Sequence, residues 1–168
     1  MSVIHQPAVC YYSKSDYTRR AAELLALKTG AVLTPIEVDR YHVPFLWVMR
    51  GIWDVGRANV PAVHIDIDLS AHRPWVVVAG PIWTDQLAPP ALSLLRTLSA
   101  TNVPVGLLTT SGGQSETVKC MCKCKAVLGR NLTARVNITN KIDGTEEMDQ
   151  HLNAFANAVA QHPVSGVA

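Results

Sequence analysis

Ser13, Ser15 and Thr18 put three hydroxyls within six residues, at Ser13-Lys14-Ser15-Asp16-Tyr17-Thr18, between the apolar run Ala8–Tyr12 and a helix-like run that begins near Thr18. A hydroxyl-rich loop that leaves a strand and opens a helix offers side-chain oxygens and unpaired backbone N–H groups at the positive end of the helix dipole. The chemistry this suits is anion binding, with a phosphate as the natural guest. Lys14, Arg19 and Arg20 add cations at the start of a helix, where the dipole disfavours them unless an anion is close.

Two further loops are expected to face this one. Gly80-Pro81-Ile82-Trp83-Thr84 follows a strand and brings a large aromatic to it. Thr110-Ser111-Gly112-Gly113-Gln114 follows another, and its glycines let a ligand approach the backbone. Three loops converging at strand ends make one ligand-sized cleft.

The elements that hold these loops read as alternating strand and helix. Strands are expected at Ala8–Tyr12, Val32–Val38, Trp75–Gly80, Pro104–Thr109 and Thr133–Ile138, and helices at Thr18–Thr29, Pro44–Ala58, Ala88–Ala100, Ser115–Leu128 and Glu146–Gln161. Continuous apolar runs such as Val76-Val77-Val78-Ala79 suit parallel strands covered on both faces. Pro35 in the second strand and the apolar–polar alternation of Ala134–Ile138 suit edges. The fold class is therefore α/β: a doubly wound five-stranded parallel sheet of order 2-1-3-4-5, with helices on both faces and a switch point at the Ser13–Thr18 loop. Gly30 and Gly129 stand where helix C-caps favour a left-handed residue.

With 168 residues, 48% hydrophobic and 17% charged, the chain fits one domain with a sizeable core, and His162–Ala168 reads as a flexible tail. The net charge of +2 comes from Lys and Arg without a run comparable to a nucleic-acid arm or a polybasic membrane segment, so no nucleic acid and no membrane are expected as partners. No run is long and apolar enough to span a bilayer, and no leader pattern opens the chain, which gives a cytoplasmic expectation.

Cys120-x-Cys122-x-Cys124 invites a metal reading, but on a helix Cys120 and Cys124 share a face that Cys122 opposes, and Cys10 lies in a core strand. Reduced, buried thiols and no metal site are expected. His64-x-Asp66-x-Asp68 is read as a surface loop before the third strand. A Cys-x5-Arg phosphatase needs arginine where Asp16 stands, a receiver domain needs acids where Tyr12-Ser13 stand, and the glycine patterns of nucleotide-triphosphate and dinucleotide loops are absent.

On these residues the chain resembles the flavodoxin-like FMN-binding family over most of its length. Ser13, Ser15 and Thr18 fall on the hydroxyl positions of a phosphate loop of the form Ser/Thr-x-Ser/Thr-Gly-x-Thr. Gly80-Pro81-Ile82-Trp83 is similar to the Gly-x-Pro-Ile-Trp segment of flavodoxin-like oxidoreductases, with Ala88-Pro89-Pro90 following, and Thr110-Ser111-Gly112-Gly113 is similar to their loop after the fourth strand. The resemblance implies an FMN whose phosphate lies at Ser13, Lys14, Ser15, Asp16, Tyr17 and Thr18, and whose ring lies between Pro81, Ile82, Trp83 and Thr84 on one side and Ser111, Gly112 and Gly113 on the other. It implies no general acid or nucleophile, because the flavin supplies the chemistry.

Three roles stay open under that resemblance. One is an electron carrier that docks a redox partner protein, against which the mildly basic balance stands, since flavodoxin carriers are usually acidic. The second is an NAD(P)H oxidoreductase of the quinone-reductase kind, possible as a homo-oligomer. The third is a binding or regulatory module that keeps the fold without FMN. Asp16 favours the third: it replaces the loop glycine, its carboxylate repels a phosphate, and it is placed to cap the helix itself.

Overall fold

The structure is a computed structural model that describes residues 5–39, 53, 61–69, 72–113 and 118–161. In chain order the elements are β1 (Ala8–Tyr11), α1 (Tyr17–Thr29), β2 (Val32–Pro35), β3 (Val76–Trp83), β4 (Gln86–Leu87), α2 (Pro89–Leu98), β5 (Val105–Ser111), α3 (Val118–Leu128), β6 (Ala134–Thr139) and α4 (Glu146–Ala160). The helix expected at Pro44–Ala58 falls, apart from Trp53, outside the described residues.

Five strands pair in parallel in the order β2-β1-β3-β5-β6, with Ala8 beside both Val32 and Val76, Val76 beside Val105, and Gly106 beside Ala134. This is the expected doubly wound order, with β2 and β6 at the edges. It gains one element, because β4 pairs antiparallel with β3.

The strands' two-residue period divides the core into two layers. Cys10, Val76, Val78, Val105 and Leu107 face α2 and α3, where they meet Leu94, Leu95, Leu98, Cys120, Cys124 and Leu128. Val9, Val77, Ala79 and Leu108 face α1 and α4 and meet Ala22, Leu25, Leu152, Phe155 and Val159. Burying one such aliphatic side chain contributes about 1.5–3 kcal/mol, so the two layers fix where every strand ends. The strand ends in turn position the loops.

The N-terminal ends of the helices differ. Helix α4 is capped by Thr145, whose Oγ1 accepts from the Met148 N–H at 3.4 Å, and Glu146, Glu147 and Asp149 lie in its first turn. Helix α1 has Asp16 at its N-cap without a side-chain cap bond and has no acid in its first turn. Gly30 closes α1 with φ 65° and donates its N–H to the Ala26 carbonyl, the left-handed C-cap that the sequence suggests.

Residues 61–69 bear out the surface-loop reading of His64, Asp66 and Asp68 and add a packing role for the residues between them. The segment forms no strand and bends at Asp66, Ile67 and Leu69, with His64, Asp66 and Asp68 exposed and Val63, Ile65, Ile67 and Leu69 packed on the core. His64 and Glu37 exchange backbone hydrogen bonds of 2.9 Å in each direction. The alternation is an amphipathic strap, a two-residue period serving packing.

Candidate functional site

The loop between β1 and α1 begins in register with the sheet, because the Tyr12 N–H donates to the Ala79 carbonyl at 2.9 Å. Tyr17 N–H then donates to the Ser15 carbonyl at 2.9 Å, and the Arg20 N–H closes the first helical turn on the Asp16 carbonyl at 2.9 Å. Asp16 adopts φ 63° and ψ −14°, the left-handed conformation that glycine reaches without strain and that Asp tolerates better than most residues. Its side chain does not cap the helix, which corrects the capping expectation: it turns to Arg19, at 3.5 Å.

Ser13 supplies the loop's most telling atom. Its Oγ is buried and has no hydrogen-bond partner among the described residues. Buried hydroxyls are almost always paired, so an orphan at a strand end marks a place where a partner is missing. Tyr12, next to it, is 5% exposed and packs its ring edge-on against Trp83, with centroids 5.8 Å apart and planes at 78°. Burial drives the Tyr12 phenol well above its usual range.

The second expected loop is a hairpin. Pro81, Ile82 and Trp83 continue β3, Thr84 and Asp85 turn with φ 45° and 62°, and Gln86-Leu87 returns against Trp83-Ile82. Two successive left-handed residues match the twist of the flanking strands. The sequence hides this turn because neither residue is glycine or asparagine. Gly80 allows the close approach of α2: a Cβ there would lie 2.7 Å from the Ala91 Cβ. The Lys123 ammonium on α3 donates to the Gln86 side-chain carbonyl and ties the hairpin to that helix.

The third loop is shorter than expected, since β5 runs through Ser111. Thr18 and Thr110 share a hydrogen bond of 2.7 Å between their hydroxyls, both buried. Thr109 Oγ1 donates to Asn137 Oδ1 at 3.0 Å, and Asn137 Nδ2 donates to Ser111 Oγ at 3.2 Å. Gly112 and Gly113 are exposed, and a side chain built on either would meet open space.

Thus the fold brings all three segments to one end of the sheet, with Trp83 touching Tyr12 and Thr18 touching Thr110. It also reassigns several residues. Thr18, expected to hold an anion, also joins α1 to β5 through this hydroxyl pair. Arg19 sits 3.6 Å from Glu23 as well as near Asp16, and Arg20 pairs with Asp143 and lies 4.8 Å over the Tyr17 ring. The two arginines therefore have anions within the chain, contrary to the expectation that they await one. Lys14, Ser15 and Asp16 are exposed. A cleft of about 350 Å³ opens beside the loop toward β2, lined by Ser13, Lys14, Asp16, Arg19, Tyr11 and Glu37 among others.

No protein-family model matches the chain, and neither does any curated protein. Solved structures do. A flavoprotein of Lactobacillus acidophilus NCFM, solved in complex with FMN, superposes with a TM-score of 0.68 at 18% identity, over 87% of this chain and 97% of that one. A candidate flavoprotein of Bacteroides uniformis ATCC 8492 gives 0.74 at 18% identity, over 89% and 99%. A flavodoxin from the domain Archaea gives 0.57 at 14% identity, over 94% and 97%.

The fold is flavodoxin-like.

In this flavodoxin-like chain, sequence reasoning missed Tyr12 and Asn137 and the tie that Thr110 makes to Thr18, which together knit the loops. Only their place at strand ends could have signalled them. Cys120 and Cys124 are buried and Cys122 is exposed, as the helix face suggests. Burial pushes the Cys10 thiol up to about 12, which leaves it unreactive at neutral pH. Among the described residues no group of His, Cys, Asp and Glu is arranged to hold a metal ion, and no helix is long and apolar enough to cross a membrane.

Proposed function

We propose that the chain binds FMN non-covalently and serves as a redox protein. The observation that carries this reading is the orphaned Ser13 Oγ beside a helix that has neither a side-chain cap nor an acid in its first turn. A phosphate suits both: it accepts from a hydroxyl and from helix N-terminal N–H groups, and its charge is favoured by the dipole. The left-handed Asp16 backbone gives the loop the turn that a glycine would give it. The FMN in the Lactobacillus flavoprotein supports the same guest here.

On this reading Ser13, Lys14, Ser15, Asp16 and Tyr17 surround the phosphate, with Thr18 holding the helix in place from behind. Pro81, Ile82, Trp83 and Thr84 on the hairpin, and Ser111, Gly112 and Gly113 at the end of β5, flank the flavin ring. When bound, FMN supplies one- and two-electron transfer. The chain's contribution is to orient the ring, to limit its contact with water, and to tune it through backbone hydrogen bonds and the Tyr12–Trp83 pair. No side chain is nominated as acid, base or nucleophile.

A second reading, a flavodoxin-like binding module without FMN, is favoured by one observation: the loop that would hold the phosphate carries the Asp16 carboxylate, with Arg19 already beside it. One experiment separates the two. Purified chain is mixed with FMN, excess flavin is removed, and absorbance and fluorescence quenching of the retained flavin are recorded. Retention of about one flavin per chain supports the redox reading, and no retention ends it. With flavin retained, oxidation of NADH or NADPH in the presence of a quinone marks an oxidoreductase, and its absence marks a carrier.

A further inference from the structure

Residues 118–141, which comprise α3, β6 and their connections, hold six of the chain's 15 basic residues and none of its 13 acidic ones, leaving the remainder net acidic by four. A chain of net charge +2 thus conceals a strongly polarised distribution. Lys119, Lys125, Arg135 and Lys141 are exposed. Arg130 is turned inward, donating to the carbonyls of Leu98 and Val103 at 3.2 and 2.8 Å, and Lys123 holds Gln86.

The same edge carries two further features. A groove of about 330 Å³ runs between α3 and β6, lined by Lys125 and Arg135 with Met121, Leu132, Thr133 and Ala134 between them. Strand β6 closes the sheet, pairing with β5 on one side and, among the described residues, with no strand on the other. An open strand edge offers backbone hydrogen bonds to an extended chain, and cations beside a groove select carboxylates carried on such a chain.

We propose that the α3–β6 edge is the docking surface for an acidic, extended polypeptide segment of a partner protein. The segment continues the sheet along β6 and sets its carboxylates against Lys125 and Arg135. Nucleic acid is the less suited occupant: residues 118–141 contain no Trp, Tyr or Phe on which a base could stack. Cations that merely guard an open edge from self-association form the simpler account, and that role binds no acidic peptide.

The test uses the whole chain and a labelled peptide of alternating glutamate and valine, with fluorescence anisotropy as the readout. The expected results are binding of this peptide, no binding of the version with lysine for glutamate, and a loss of about tenfold or more when salt rises from about 50 to about 300 mM. Lys125→Glu with Arg135→Glu should weaken binding by about tenfold or more, while Arg96→Glu on α2 should leave it unchanged. The milder pair Lys125→Gln with Arg135→Gln, checked by circular dichroism, keeps the comparison valid if the reversal unfolds the chain. The proposal is overturned if wild-type chain ignores the glutamate peptide, if Arg96→Glu weakens it equally, or if a single-stranded DNA oligonucleotide of matched charge binds more tightly and displaces it.

Discussion

Helices α1 and α4 pack on the same face of the sheet, yet their N-termini are finished in opposite ways. At α4, Thr145 accepts from the Met148 N–H and three acids occupy the first turn, so the dipole and one terminal donor are satisfied within the chain. At α1 the N-cap side chain turns away to Arg19, the first turn lacks acids, and Ser13 Oγ beside it is buried without a partner. The first turn of α1, beyond its buried Ala21, Ala22, Leu25 and Ala26, is tied to β5 by the Thr18–Thr110 hydroxyl pair, which leaves the helix end open. The closed terminus serves folding, and on the proposed FMN reading the open one receives the phosphate.

The largest effect should come from cutting that anchor. Thr18→Val leaves the buried Thr110 hydroxyl without its 2.7 Å partner, and stability in urea denaturation should fall by about 1–3 kcal/mol. Adding Thr110→Val should recover most of the loss, because two apolar groups of matching shape leave no orphan. A double variant no better than the single one would show that Thr18 does more than hold Thr110. Ser13→Ala should do the reverse of Thr18→Val: its hydroxyl has no partner to lose, so stability should stay within about 0.5 kcal/mol. FMN affinity, read by fluorescence titration, should fall about tenfold, the cost of one charge-assisted hydrogen bond. Equal affinity in Ser13→Ala would remove Ser13 from the phosphate site.

How much of this was legible in the sequence depends on which force wrote each feature. The sheet order was legible because burial on both faces leaves uninterrupted apolar runs such as Val76–Ala79, and because Pro35 can stand only at an edge. The three loops were legible as a group, since topology alone sends them to one end of the sheet. Their internal hydrogen bonds were not. Thr18 looked like a phosphate ligand because its residue type fits, and only the three-dimensional proximity of Thr110, 92 positions away, gives its hydroxyl another partner. The Thr84–Asp85 turn escaped notice for a related reason: tertiary packing of Leu87 and Ala88 holds two side-chain-bearing residues at positive φ where glycine would have announced the turn. Arg20 was counted with the loop although its partner, Asp143, lies far along the chain.

The capped helix provides the control for the open one. Thr145→Ala should lower stability by about 1 kcal/mol, the usual cost of losing an N-cap hydroxyl, and should leave FMN affinity unchanged. If the variant instead bound flavin more weakly, the two helix ends would be coupled through α1–α4 packing, and the contrast between a structural and a functional terminus would fail.

The smallest effect is the most diagnostic. Asp16 at φ 63° imposes a left-handed backbone on a residue with a Cβ, and its carboxylate lies at the mouth of the helix that should receive the phosphate. Asp16→Gly relieves the steric cost, about 1 kcal/mol, but gives part of it back through the greater freedom of glycine in the unfolded chain, so stability should change by less than about 0.5 kcal/mol. Removing one exposed negative charge near a phosphate is worth about 0.5–1 kcal/mol at low salt, which predicts FMN binding several-fold tighter, an advantage that shrinks as salt is raised. The variant also releases Arg19 from its 3.5 Å contact with Asp16. If affinity does not move, the Asp16–Arg19 pair is electrically neutral toward the ligand, and the carboxylate is a tolerated substitute for glycine. If wild-type chain holds no flavin and Asp16→Gly does, then this single side chain is what separates the flavin-free module from the flavoprotein.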